Sequence, residues 1–302
     1  MAASFSVCAQ GLQYVETDKL KLLYFDPTET YLVPRVIQSF HGAMEVHEKI
    51  FCYEPDENTT MLLVDFADYG NAAATAVPGN IVMLQVAPII PNFETFAPAE
   101  RMYTLMNHEM VHVVTTDQPA PAENRYRKLF GGKVLPVSEH PESVFYHYLT
   151  APRDASPRWY LEGIAVFMET WMAGGLGRAE GAYDEMLFRT MVRDDAHFYD
   201  PLGLVAEGVE ADFQAGANAY LYGGRFMTYM AYTRSPEQLI EWVKRTAEGE
   251  RAYDKEFERV FGLSLDAAWQ NWIDWEHEFQ RRNLEAVRQF PISDHEDLAD
   301  SG

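Results

Sequence analysis

The spacing of apolar positions changes along the chain, and each change marks an element. Val36, Ile37, Phe40, Met44, Ile50 and Phe51 recur at helical intervals, which predicts an amphipathic helix over about 32–52. Residues 59–66, rich in β-branched and apolar side chains, predict a strand; Gly, Ala and Asn over 69–80 predict a turn region; 81–86 predict a second strand. Pro88, Pro91 and Pro98 end that strand and lead into a helix over about 99–115. Residues 116–157 mix Pro, Gly and charge with little periodicity and predict a long functional loop. From Arg158 the pattern is helical almost to the end. Ser235-Pro236-Glu237-Gln238 carries a capping Ser, a first-turn Pro and a box Gln. Ser264 opens another helix, in which Trp269, Trp272 and Phe279 predict a buried stripe.

These elements predict a division of the chain into an arm (1–18), an α/β lobe (19–115), the long loop (116–157), a helical lobe (158–290) and an acidic tail (291–302), expected to be disordered over 295–302. The predicted class is α+β, with a small N-terminal mixed sheet and a mainly helical C-terminal lobe. No internal repeat is visible.

Composition narrows the picture. With 302 residues, 47% of them hydrophobic, the chain can bury a sizeable core. No stretch approaches the ~18 unbroken apolar residues of a membrane helix, so no membrane insertion is expected. The first ten residues lack a basic n-region and an apolar h-region, so they do not form an intact signal peptide. Cys8 and Cys52 make no disulfide framework and are expected as free thiols. Neither is near a histidine motif. The net charge of −22 repels nucleic acid and anionic membranes. It reads as a solvated, self-repelling surface, with attraction of basic peptides as the functional alternative.

The chemistry begins at Asn107-His108-Glu109-Met110-Val111-His112. On a helix, residues four apart project from one face, so His108 and His112 can grip one ion. Glu109 stands beside them, placed to act on water rather than on the metal. A catalytic zinc takes three protein ligands and keeps one position open. The extended motif with a third histidine six residues on is excluded, because Thr115 and Gln118 occupy its Gly and His positions. A third ligand must come from elsewhere. The candidate is Glu162, in Arg158-Trp159-Tyr160-Leu161-Glu162-Gly163-Ile164-Ala165, whose small Gly163 and Ala165 would let this helix press on the histidine helix. His140 and His147, in the predicted loop, compete with it.

At this point the chain resembles the gluzincin metallopeptidases, the thermolysin and aminopeptidase-N group, in which Trp-x-x-Glu-Gly-x-Ala supplies the third zinc ligand from a second helix. Residues 157–170, 220–229 and 261–269 are similar to the bacterial peptidase-MA-like branch of that group. The likeness covers roughly residues 30 to 285, with specific motifs only at those points. The resemblance implies a gluzincin (zincin-like) catalytic domain. It implies one zinc ion per chain on His108, His112 and Glu162, and hydrolysis of peptide or protein substrates with Glu109 as general base. A tyrosine donates to the developing oxyanion, Tyr220 aligning best and Tyr222 as fallback. The missing signal leaves a cytosolic or an exported protein open; export is common in the family, and the resemblance favours it.

Three features depart from that pattern. About fifty residues separate His112 from Glu162, more than in thermolysin or aminopeptidase N, and the excess is the predicted loop. Gly42-Ala43-Met44-Glu45 resembles the amine-binding motif of aminopeptidases, but Val46 stands where Asn should be and the segment lies in a helical stripe. Glu169 reads either as a carboxylate orienting a ligand histidine or as a helix salt-bridge partner. Gly177-Arg178, Asp184-Glu185 and Arg189 form a charged cluster that either lines the cleft or makes ordinary i,i+4 pairs. The alternative from another class is a catalytically silent module that keeps the zinc site and binds peptides.

Overall fold

A computed structural model describes residues 11–66, 70–87, 100–172, 174–175, 177–206, 217–291 and 293. The chain opens with a hairpin, β1 (Gly11–Thr17) and β2 (Leu20–Asp26), followed by α1 (Val33–Phe51). Then come β3 (Thr59–Val64), β4 (Ala72–Thr75), β5 (Ile81–Gln85) and α2 (Arg101–Asp117). Among the described residues the strands form one five-stranded mixed sheet in the order β1-β2-β3-β5-β4. Strands β2, β3 and β5 run parallel, while β1 and β4 are antiparallel edges. The register aligns Leu22, Met61 and Val82 across neighbouring strands, and all three are buried beneath the helices. The class is therefore α+β.

The arm is not loose throughout. Gly11–Thr17 is an edge strand with mostly exposed side chains, held by backbone pairing to β2, so it carries little apolar signal of its own. The turn region contains β4, whose Ala-Ala-Ala-Thr sequence has low strand propensity and is held by its partner β5. Pro88, Pro91 and Pro98, residues 1–10 with Cys8, and the 294–302 part of the tail lie outside the described residues. Cys52 is exposed and free.

Residues 116–157 are not a loop. They contain α3 (Pro121–Phe130) and α4 (Ser143–Thr150). The inner face of α3 is charged rather than apolar. Glu123 is buried, accepts from its own helix start at Ala120 N, and pairs with Arg245 and Arg251. A charged, short helix of this kind has no hydrophobic period to read.

The helical lobe comprises α5 (Arg158–Met172), α6 (Ala182–Arg193), α7 (Pro201–Val205), α8 (Asn218–Thr233), α9 (Pro236–Val243), α10 (Tyr253–Phe261) and α11 (Leu265–Val287). Ser235 Oγ caps α9 by accepting from Gln238 N at 3.2 Å, and Ser264 Oγ caps α11 by accepting from Ala267 N at 3.3 Å. Trp269 and Trp272 are buried with ring centroids 4.9 Å apart. Phe279 is not on that stripe. It stacks on Trp275 at 4.9 Å, half-exposed, while the buried face continues through Glu276 and Gln280. No described helix is long and apolar enough to cross a membrane.

Candidate metal centre

Helix α2 starts at Glu100, whose carboxylate accepts from Met102 N and Tyr103 N and satisfies two otherwise free amides. Two turns on, His108 and His112 leave the same face, their Nε2 atoms 3.3 Å apart. Helix α5 packs against α2 and delivers Glu162, whose Oε2 lies 3.2 Å from His108 Nε2 and 3.3 Å from His112 Nε2. Among the described residues this is the one group of three or more His, Cys, Asp or Glu side chains that converges on a common point.

Three bonds of ~2.0–2.1 Å to a tetrahedral zinc place the ligand atoms about 3.3 Å apart. The observed triangle has sides of that length. The donor set also matches: two imidazoles and one carboxylate facing one another at hydrogen-bond distance lack the protons to satisfy all three contacts when the rings are neutral. A proton on His108 resolves that conflict, and so does a divalent cation at the shared point.

The rings are oriented from behind. His108 Nδ1 is 2.8 Å from Glu169 Oε2. With Nδ1–H donating to that carboxylate, the lone pair of Nε2 is left to face Glu162. Arg178 donates to both oxygens of Glu169, from Nε at 2.8 Å and Nη2 at 2.9 Å. Glu169 is fully buried; its desolvation is more than offset by Arg178 and His108, which bring its pKa to about 2. Burial opposes charge on His108, but Glu162 and Glu169 outweigh it and raise its pKa to about 10. The centre is thus a place where the protein's own field favours a cation. Glu109 is buried beside the histidines, and desolvation raises its pKa above the usual carboxylate range. That shift suits a group that must hold a proton in passing.

Tyr220, near the start of α8, lies with its ring centroid 6.0 Å from that of His108. Its ring is flanked by two guanidiniums, Arg178 at 4.9 Å and Arg158 at 5.2 Å. Burial and the Glu162 charge raise its pKa, so the phenol keeps its proton. Tyr222 points elsewhere, into an aromatic cluster with Phe188, Phe198 and Trp272. It is therefore not positioned as an oxyanion donor.

The other candidates part from the centre. His140 is exposed and pairs with Glu142 at 3.3 Å. His147 is buried with Nδ1 3.0 Å from Val134 O and Nε2 3.3 Å from Asp154. Gly42-Ala43-Met44-Glu45 is helical within α1, with Ala43 and Met44 in the core. The charged cluster divides: Arg178 joins the candidate centre through Glu169, whereas Glu185 and Arg189 tie α6 to α11 through Asn283. Asp184 is buried and its pKa rises to about 7, desolvation leading. Arg158 was not singled out for any role in the sequence; its one visible signal is its i,i+4 spacing to Glu162. Compared with known protein families and with curated proteins, the sequence matches none.

Proposed function

We propose that this chain is a zinc-dependent peptidase of the gluzincin type, holding zinc on His108, His112 and Glu162. One observation carries the reading: a Nε2–Nε2–Oε2 triangle with sides of 3.2 to 3.3 Å, with the buried carboxylate of Glu109 next to it. When bound there, zinc supplies Lewis acidity and lowers the pKa of water toward neutrality. Glu109 takes the proton of the attacking water and returns it to the leaving amine. Tyr220, kept neutral, donates its O–H to the carbonyl oxygen as negative charge grows on it. Glu169 and Arg178 hold the His108 ring in the tautomer that leaves Nε2 free.

The sheet supports a polypeptide substrate. Strand β4 is an antiparallel edge that packs against α2. An extended peptide added to that edge as a further strand would run beside the histidine helix.

The test is a panel of unstructured peptides and proteins, assayed with and without a chelator. Cleavage that the chelator stops and added zinc restores supports the reading. Glu109→Gln should keep zinc and lose hydrolysis. Zinc-dependent binding of peptides with no cleavage by the parent chain would instead leave a silent zinc-containing module.

A further inference from the structure

The two oxygens of Glu162 have different surroundings. Oε2 faces both imidazoles, and Oε1 lies 3.6 Å from Arg158 Nε. The same guanidinium reaches the phenol, with Nη2 3.5 Å from Tyr220 Oη and its carbon 5.2 Å from the ring centroid. We propose that Arg158 is a positioning residue that confines Glu162 to one-oxygen coordination while it holds Tyr220 beside the metal.

The inference rests on the zinc reading of this centre. A carboxylate can bind a metal through one oxygen or through both, and the second oxygen would take the position that water or a substrate carbonyl needs. Turning Glu162 to offer both oxygens would take Oε1 away from its charged partner, Arg158. An ordinary i,i+4 surface pair is not built this way. Here the Arg158 side chain is 53% exposed, but Glu162 is only 14% exposed and meets the guanidinium from inside the site. The planar guanidinium meets its two partners through separate nitrogens, Nε toward Glu162 and Nη2 toward Tyr220. Arg158 is the first residue of α5, one turn before Glu162, so helix geometry alone brings the fork and the carboxylate together.

Cobalt(II) in place of zinc reports coordination directly, because its visible bands weaken as ligands are added. The full chain loaded with cobalt should show the strong bands of a low-coordinate site. Arg158→Gln should still bind one cobalt per chain but lose about half or more of the band intensity, as Glu162 turns to two-oxygen binding. Arg158→Lys keeps a cation at Oε1 and should retain the parent spectrum. In turnover, Arg158→Gln should lower kcat about tenfold or more with KM changed less than about twofold. A folded, cobalt-loaded Arg158→Gln chain with the parent spectrum would overturn the proposal. So would loss of the bands in Arg158→Lys alone. A parent chain that takes up no cobalt removes the metal centre and this role together. The expected spectral change in a chain that hydrolyses nothing supports the role of Arg158 and removes the peptidase reading.

Discussion

Gly163 of α5 lies directly against Gly223 of α8, backbone on backbone. A Cβ added to Gly163 would come within 2.6 Å of the Gly223 carbonyl carbon, and one added to Gly223 would collide with the Trp159 carbonyl oxygen. The contact falls one residue after Glu162 and three after Tyr220. It sets the separation between the helix carrying Glu162 and the helix carrying Tyr220. Gly163 thus serves a different neighbour from the one its sequence suggests: it makes room for α8 rather than for the histidine helix.

Gly223→Ala should therefore destabilise the fold. Alanine gains about 0.5–1 kcal/mol of helix preference over glycine, but its methyl meets rigid backbone that cannot move aside, an overpacking cost of about 1–3 kcal/mol or more. The second term wins, and the midpoint of thermal unfolding should fall by roughly 5 °C. Gly42→Ala is the control. That position is exposed inside α1, with nothing within 4 Å of the added Cβ. It should raise stability by about 0.5–1 kcal/mol. Equal melting points for the two variants would remove the close approach as a constraint.

Removing the third donor and removing its neighbour's support should differ in degree. If zinc sits on the proposed triad, Glu162→Ala takes away one of its three ligand atoms and should leave the chain substantially short of one zinc after dialysis. Glu169→Ala leaves all three but frees the His108 ring, which should weaken zinc about 10–100-fold. Competition with a chelating dye gives both numbers. Zinc lost from His147→Ala but held by Glu162→Ala would reassign the third donor.

The parts of this picture that were legible in the sequence are those set by local geometry. His108 and His112 share a face because a helix repeats, and Ser235 and Ser264 cap helices because their hydroxyls reach an amide three residues on. Helix α3 was hidden because its buried face is Glu123, whose compensating Arg245 and Arg251 come far later in the chain. Strands β1 and β4 were hidden because edge strands borrow their stability from a partner. Arg178 was visible as a charge but not as the clamp on Glu169. Nothing local records which of several carboxylates a buried guanidinium will meet.

The two tyrosines of α8 should separate cleanly. Tyr220→Phe removes an O–H beside the proposed zinc site and should lower kcat about 10²-fold, in the range for loss of one oxyanion donor, with zinc content unchanged. Tyr222→Phe removes a hydroxyl that sits 3.5 Å from Tyr199 N and 3.9 Å from Met191 Sδ in the aromatic cluster. It should cost about 1 kcal/mol of stability and leave kcat alone. Peptide turnover and urea unfolding on both variants decide it. A kcat loss confined to Tyr222→Phe would transfer the role to that residue.

His47 should make the fold acid-sensitive independently of any metal. It is fully buried on α1, with Nε2 3.1 Å from Asn107 O and no hydrogen-bond partner for Nδ1 among the described residues. Protonation would place a charge and an unmet donor in a dry interface. Burial accordingly lowers its pKa from 6.5 to about 4, opposed weakly by the Asn107 carbonyl. Between those values the unfolded chain binds the proton and the folded chain does not. The contribution is therefore complete above pH 6.5, declines as the pH falls, and is gone below about 4. Over the whole window it amounts to about 3 kcal/mol, and between pH 7.5 and 5 to about 2 kcal/mol. Urea unfolding at those two pH values, on chelated protein so that metal release adds nothing, should show this loss in the parent. His47→Gln keeps an amide donor for Asn107 O but does not titrate, so its pH dependence should be shallower by that amount. Parallel slopes for the two chains would mean that His47 is hydrated in the fold and takes no part in its acid response.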